Sequence, residues 1–148
     1  MIFPLTALFI FLDLFTKNLA QKFLQNSNFD LIFGAKFMLK FNEGIAFSIP
    51  LTGILQIVLS CALLGFLIFY TWKNWDLSHK IEVFSFSLII GGALGNLYER
   101  IFFGKVTDFI SVFSWFPTFN LADSFIFIGV CLALRVELRN EKVKNNAK

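Results

Sequence analysis

Residues 51–72 read LTGILQIVLSCALLGFLIFYTW, with no charged side chain in the run. That length suits the roughly 20 helical residues needed to cross a hydrocarbon core about 30 Å thick. Tyr70 and Trp72 close the run, and such rings settle where hydrocarbon meets water. The stretch predicts a membrane-spanning helix, which sets the class of the whole chain.

Three further apolar runs lie on either side of it. Residues 2–20 form one, with Pro4 in the first turn, where its missing N–H is tolerated. This run lacks the basic start of a secretory signal and carries Asp13 and Lys17, so it reads as a retained first helix. Residues 81–98 form another, in which Gly91 and Gly95 make the GxxxG spacing that permits close helix approach. Residues 119–134 form the last. The 148-residue chain is 57% hydrophobic and 16% charged, with mean hydropathy +0.71, a balance far from that of a water-soluble domain. The expectation is one all-α integral membrane domain over 1–148 with four transmembrane helices. Cys61 and Cys131 sit in apolar surroundings without an activating neighbour and read as core-packing residues.

Two outer segments connect these spans. In 22–50, Asn26, Ser27 and Asn28 are turn formers, and Phe29–Phe33 and Lys36–Phe41 flank Gly34-Ala35 as a short hairpin, a small extracytoplasmic β-sheet. Its interleaved Phe and Lys suit the bilayer interface. Asn42-Glu43-Gly44 then turns the chain back toward the membrane. Segment 101–118 is an aromatic connection holding Gly104, Asp108, Trp115 and Pro117. The tail 135–148 carries Arg135, Arg139, Lys142, Lys144 and Lys148, against Lys105 alone in 101–118. By the positive-inside bias both termini face the cytoplasm and the two segments face outward. The net charge of +3 reads as juxtamembrane anchoring, not as a nucleic-acid surface.

Asp108 and Asp123 stand out in this setting. A carboxylate at the centre of a spanning helix costs roughly 2.5–3.5 kcal/mol on insertion scales, so an acid at the membrane edge asks for a function. Two carboxylates held close share one proton, which gives one acid and one base. Asn120 is a good N-cap for the fourth helix, which puts Asp123 in its first turn, where the helix dipole favours an anion. The expectation is that Asp123 is more often the ionised member and Asp108 the proton carrier. Asn96 and Arg100, four apart at the outer end of the third span, are placed to bond a substrate backbone and to brace a carboxylate or lipid phosphate. Asp13 and Lys17, also four apart, read as a structural ion pair.

Five blocks together resemble a known family: Asp13-Leu14-Phe15-Thr16-Lys17, Asn42-Glu43-Gly44-Ile45-Ala46-Phe47, Gly91 to Arg100, Gly104 to Phe109, and Phe119 to Ser124. The chain resembles the bacterial lipoprotein signal peptidases, signal peptidase II, in the order and spacing of these blocks. That resemblance implies an intramembrane aspartic endopeptidase acting on diacylglyceryl-modified prolipoproteins, cutting before the lipidated cysteine. It implies Asp108 and Asp123 as catalytic residues; by their positions, Asn42, Gly44, Asn96, Arg100, Asn120, Asp13 and Lys17 read as supporting the site or binding substrate. It also implies a monomer among membrane lipids in the bacterial cytoplasmic membrane, needing no metal or organic cofactor. Two positions depart from the family pattern: Glu99 where Asp is usual before the Arg, and Leu14 where Gln is common after Asp13.

Other chemistries fit less well. His79 is the only histidine, which leaves no His-based triad or His-rich zinc site. A Ser–Lys peptidase needs a serine beside Lys17, and Ser48 and Ser124 lack the motif context. A small proton- or ion-conducting protein would spread polar residues through the membrane depth, whereas here they gather toward one face. A non-catalytic adaptor using Gly91 and Gly95 would not require paired aspartates.

Overall fold

The computed structural model describes residues 1–44, 53–75, 77 and 79–146. Ile45, Ala46, Phe47 and Ser48, and the start of the span expected from Leu51, lie outside the described residues. Among these described residues, four α-helices and three strands follow in the order α1 (Ile2–Phe23), β1 (Phe29–Asp30), β2 (Lys36–Asn42), α2 (Ile54–Asn74), α3 (Lys80–Phe103), β3 (Val106–Ser111) and α4 (Leu121–Asn146). Among the described residues, three helices are long and apolar enough to cross a membrane, over Ile2–Phe23, Ile54–Thr71 and Lys80–Phe103, and the chain is an integral membrane protein.

α3 is the central helix. It packs on α1, α2 and α4, and its glycines explain how closely. A Cβ on Gly91 would strike Phe9 of α1, one on Gly95 the Asp13 carboxylate, and one on Gly92 the carbonyl oxygen of Ala122 on α4. The GxxxG pair therefore faces α1 within the same chain. Gly104 ends α3 in the left-handed region at φ 68°, its N–H donating to the Arg100 carbonyl.

The strands form one antiparallel sheet in the order β1-β2-β3. A turn at Phe33 and Gly34, both at positive φ, joins β1 to β2. Phe109 of β3 packs with Ala20 and Leu24 at the end of α1, with Phe37 and Leu39 of β2 against them. The sheet is thereby seated on the bundle's end. An irregularity in β2 between Phe37 and Lys40 shifts the register by one residue, so that Lys40 and not Leu39 lies opposite Asp108. Since a one-residue slip exchanges the faces of a strand, this bulge puts Asp108 on the same face as Lys40 and Asn42.

Several expectations are corrected. The 101–118 connection is not all loop, because Val106–Ser111 forms the third strand. α1 continues to Phe23, beyond 20, α3 to Phe103, beyond 98, and α4 to Asn146, so the tail from 135 is helical over most of its length. Lipid thickness limits an apolar run, whereas helix hydrogen bonding continues through polar residues. Cys61 and Cys131 are exposed instead of packed inside, because an apolar run can face lipid as readily as protein.

Candidate active site

Four elements meet around the two aspartates. β3 delivers Asp108, 2% exposed, and the first turn of α4 delivers Asp123. Asn120 caps α4: its Oδ1 accepts the Asp123 backbone N–H at 3.0 Å, while Asp123 Oδ2 accepts the Asn120 N–H at 3.2 Å. This is the reciprocal geometry of a capping box. The same Asn120 side chain donates through Nδ2 to Asp108 Oδ1 at 2.7 Å and to Asn96 Oδ1 at 3.1 Å. Asn42 Nδ2 donates to Asp108 Oδ2 at 3.1 Å, and Asn96 Nδ2 to Asp123 Oδ1 at 2.9 Å. Both oxygens of each carboxylate thus have a donor.

Behind this layer lies a buried ionic cluster. Lys17, 1% exposed, places Nζ 2.7 Å from Asp13 Oδ2, 3.3 Å from Glu99 Oε2 and 2.7 Å from Asn96 Oδ1. An ammonium only donates, so Lys17 fixes the Asn96 amide with its oxygen inward and its nitrogen toward Asp123. Asp13 Oδ1 accepts the Ala122 backbone N–H at 2.9 Å, tying α1 to the start of α4. Glu99 accepts both the N–H and the hydroxyl of Thr107, at 2.8 and 2.7 Å, which holds β3 next to Asp108. Gln21 Nε2 adds a 2.6 Å bond to Thr107 Oγ1.

Burial raises the Asp108 carboxyl's proton affinity most, followed by the negative charge of Asp123; the amide bonds from Asn120 and Asn42 and the charge of Lys17 act against them. The balance pushes its pKa up to about 6.

A cavity of about 1090 Å³ opens over both aspartates, with Asn42, Asn96 and Arg100 on its polar wall. It continues between Leu59 and Leu63 of α2 and Ile126, Phe127 and Val130 of α4 as an apolar groove. Phe116, Pro117 and Phe119 of the aromatic connection form part of its rim.

The structure therefore joins Asp108, Asp123, Asn42, Asn96 and Asn120 in one hydrogen-bonded network, with Asp13 and Lys17 behind it. Gly44 lines the cavity and donates its N–H to Asn42 Oδ1 at 3.0 Å. Arg100 also lines it, but donates to Ser60 Oγ at 3.3 Å and makes no ion pair within 4 Å among the described residues. Asn96, expected to bond a substrate backbone, accepts from Lys17 and Asn120 through its oxygen and donates to Asp123 through its nitrogen. Ser124 donates to the Asn120 carbonyl at 3.2 Å. Sequence reasoning passed over Gln21, Gln56 and Thr107; the only available signal was an uncharged polar residue inside or beside an apolar run.

A mainly helical membrane protein with a polar, acid-lined cleft leading into an apolar groove is the class that fold and site define. Residues 5–138 match the family model described as Signal peptidase (SPase) II. The lipoprotein signal peptidase of Francisella tularensis subsp. novicida is 34% identical, covering 95% of this chain and 92% of its own. That of Aquifex aeolicus is 37% identical over 83% of this chain and 77% of its own. A bacterial membrane enzyme solved by the in meso method at 2.3 Å superposes with TM-score 0.83 at 26% identity, covering 97% of this chain and 90% of that one. A second such enzyme, solved at 1.9 Å, gives TM-score 0.77 at 27% identity. The chain belongs to the signal peptidase II family and is a membrane protease.

Proposed function

We propose that this protease is an aspartic endopeptidase that removes the signal peptide from diacylglyceryl-modified prolipoproteins, cutting before the lipidated cysteine. The observation that carries the reading is that Asp108 and Asp123, brought from different elements, open into one cavity and are joined through Asn120. Asp123, in the first turn of α4 and facing donors from Asn96 and Asn120, is the ionised member. Asp108 carries the shared proton.

In the reaction Asp123 takes a proton from water as the water oxygen bonds to the scissile carbonyl carbon, while Asp108 gives its proton to the carbonyl oxygen. The tetrahedral diol then collapses: the C–N bond breaks, Asp123 returns its proton to the leaving amine, and Asp108 recovers one from the diol hydroxyl. Signal peptide carboxyl and cysteine amine are released, and the pair again holds one proton. The apolar groove between α2 and α4 suits a signal helix entering from lipid, with the acyl chains left in the bilayer. The hairpin and the aromatic connection close over the bound substrate.

The same reading makes the chain a monomer of four transmembrane helices in a single domain, α4 being the fourth, in the bacterial cytoplasmic membrane. Both termini are cytoplasmic and the site faces outward. Mass spectrometry of the products from a purified diacylglyceryl-modified prolipoprotein tests the assignment. The expected product begins at the lipidated cysteine, and the unmodified precursor stays whole. Cleavage elsewhere, or equal cleavage of the unmodified precursor, would contradict it.

A further inference from the structure

α2 turns apolar side chains outward along most of its length, with Ile54, Val58, Leu63 and Phe66 each more than half exposed. Gln56, in its first turn, departs from that pattern and is 1% exposed. Its Nε2 donates to the Gly44 carbonyl oxygen at 2.6 Å. Gly44 in turn donates its N–H to Asn42 Oδ1 at 3.0 Å, a local turn closed by the Asn side chain. With its oxygen used in this way, the Asn42 amide presents its nitrogen to Asp108 Oδ2 at 3.1 Å.

A chain of bonds thus runs from the lipid-facing helix to a carboxylate of the cleft. Backbone carbonyls only accept and backbone N–H groups only donate, so the direction of both side-chain amides is determined. A primary amide at the start of an apolar helix is costly to bury unless it is bonded, and Gln56 spends its donor on a backbone carbonyl of the cleft's wall. Gly44 lines the cavity itself.

We infer that Gln56 is a positioning residue for hydrolysis: by clamping the Gly44 carbonyl it holds the Asn42 amide against Asp108. The inference rests on the reading of Asp108 as the proton carrier. The charged groups around Asp108 are Asp123 from α4, Lys17 from α1, Arg100 from α3, Lys40 opposite it on β2 and Glu43 on the wall of the same cavity. None of them touches Gln56 through a hydrogen bond or ion pair among the described residues, so replacing Gln56 acts on Asp108 through Asn42.

The test is the pH–rate profile of Gln56→Met, Asn42→Ala and the double variant on diacylglyceryl-modified prolipoprotein. Loss of the Asn42 bond removes a group that favours the Asp108 anion, so the alkaline limb moves to higher pH. Gln56→Met is expected to move it in the same direction as Asn42→Ala and to lower kcat/KM by about three- to tenfold. The double variant is expected to match Asn42→Ala alone, because the two act in series. Gln56→Asn, too short to reach Gly44 but still polar, should reproduce the shift and serves if Gln56→Met misfolds. A limb at the wild-type position, or effects that multiply in the double variant, overturns the inference. Asp108→Asn, run alongside, separates the two failures: activity there overturns the dyad, whereas its inactivity beside an unmoved Gln56→Met profile overturns the role of Gln56 alone.

Discussion

Asn120 Nδ2 lies 2.7 Å from Asp108 Oδ1, while the oxygen of the same amide accepts the backbone N–H of Asp123 at 3.0 Å. One side chain therefore caps α4 and links the strand acid to the helix acid. Asn120→Ala is expected to lose about 1–2 kcal/mol of stability with the cap and to lower kcat about tenfold to a hundredfold with the bond to a carboxylate. Asn120→Ser retains a capping oxygen but no amide donor, so it should recover most of the melting temperature and little of the rate. Recovery of both would reduce Asn120 to a cap.

On the proposed dyad, the Asp108 proton sets a pH limit. Its folded-state value of about 6 lies above the ordinary 3.8 because of burial and then the Asp123 charge, so the proton persists as pH rises past 4 and leaves as pH passes about 6. Any stability tied to that proton is fully present below about 3.8 and lost through about 6. For the free enzyme, kcat/KM should fall as pH rises through about 6, read from initial rates across buffers. A bound substrate excludes more water and raises the proton affinity further, so the limb for kcat should lie at higher pH than that for kcat/KM. The reverse order would contradict the assignment.

The glycines of α3 are expected to differ sharply from that of α2. A Cβ at Gly92 would meet the Ala122 backbone, and at Gly95 the buried Asp13 carboxylate, whereas Gly65 has nothing within 4 Å. Gly92→Ala and Gly95→Ala should each cost about 1–3 kcal/mol; Gly65→Ala should leave thermal unfolding in detergent unchanged or slightly raised. Because Ala122 precedes Asp123, Gly92→Ala should also lower the rate of the protein that remains folded. Equal melting temperatures for all three would refute the packing described.

Lys17 is the cation of the buried cluster beside Asp13 and Glu99. Lys17→Met leaves both carboxylates without it and should cost about 3–5 kcal/mol. Adding Asp13→Asn should restore part of that loss, a coupling measurable by a double-mutant cycle in detergent. Strictly additive losses would mean the ion pair contributes nothing.

Much of this arrangement was legible in short-range patterns taken together. An acid beside apolar runs signals function, an Asn three before an Asp signals a cap, and an acid four before a Lys signals a pair; Asp108, Asp123, Asn120, Asp13 and Lys17 each carried such a signal. β3 did not, since five of the six positions in Val106–Ser111 are buried and the strand lacks the in–out alternation that betrays a half-exposed one. Gly104 offered a stop signal for α3 that the fading hydropathy obscured. The clasp of Glu99 on Thr107 and of Gln56 on Gly44 depends on contacts between elements, which no local spacing encodes. Arg100, expected to brace a carboxylate or a lipid phosphate, lines the cavity and donates to Ser60, because α2 brings that hydroxyl within reach.

The central claim is that hydrolysis needs both carboxylates. Its most direct measurement is cleavage of purified diacylglyceryl-modified prolipoprotein by detergent-solubilised wild type, Asp108→Asn and Asp123→Asn, with circular dichroism establishing that each is folded. Wild-type cleavage lost in both folded variants is the predicted result; cleavage at a substantial rate by either variant would contradict the account.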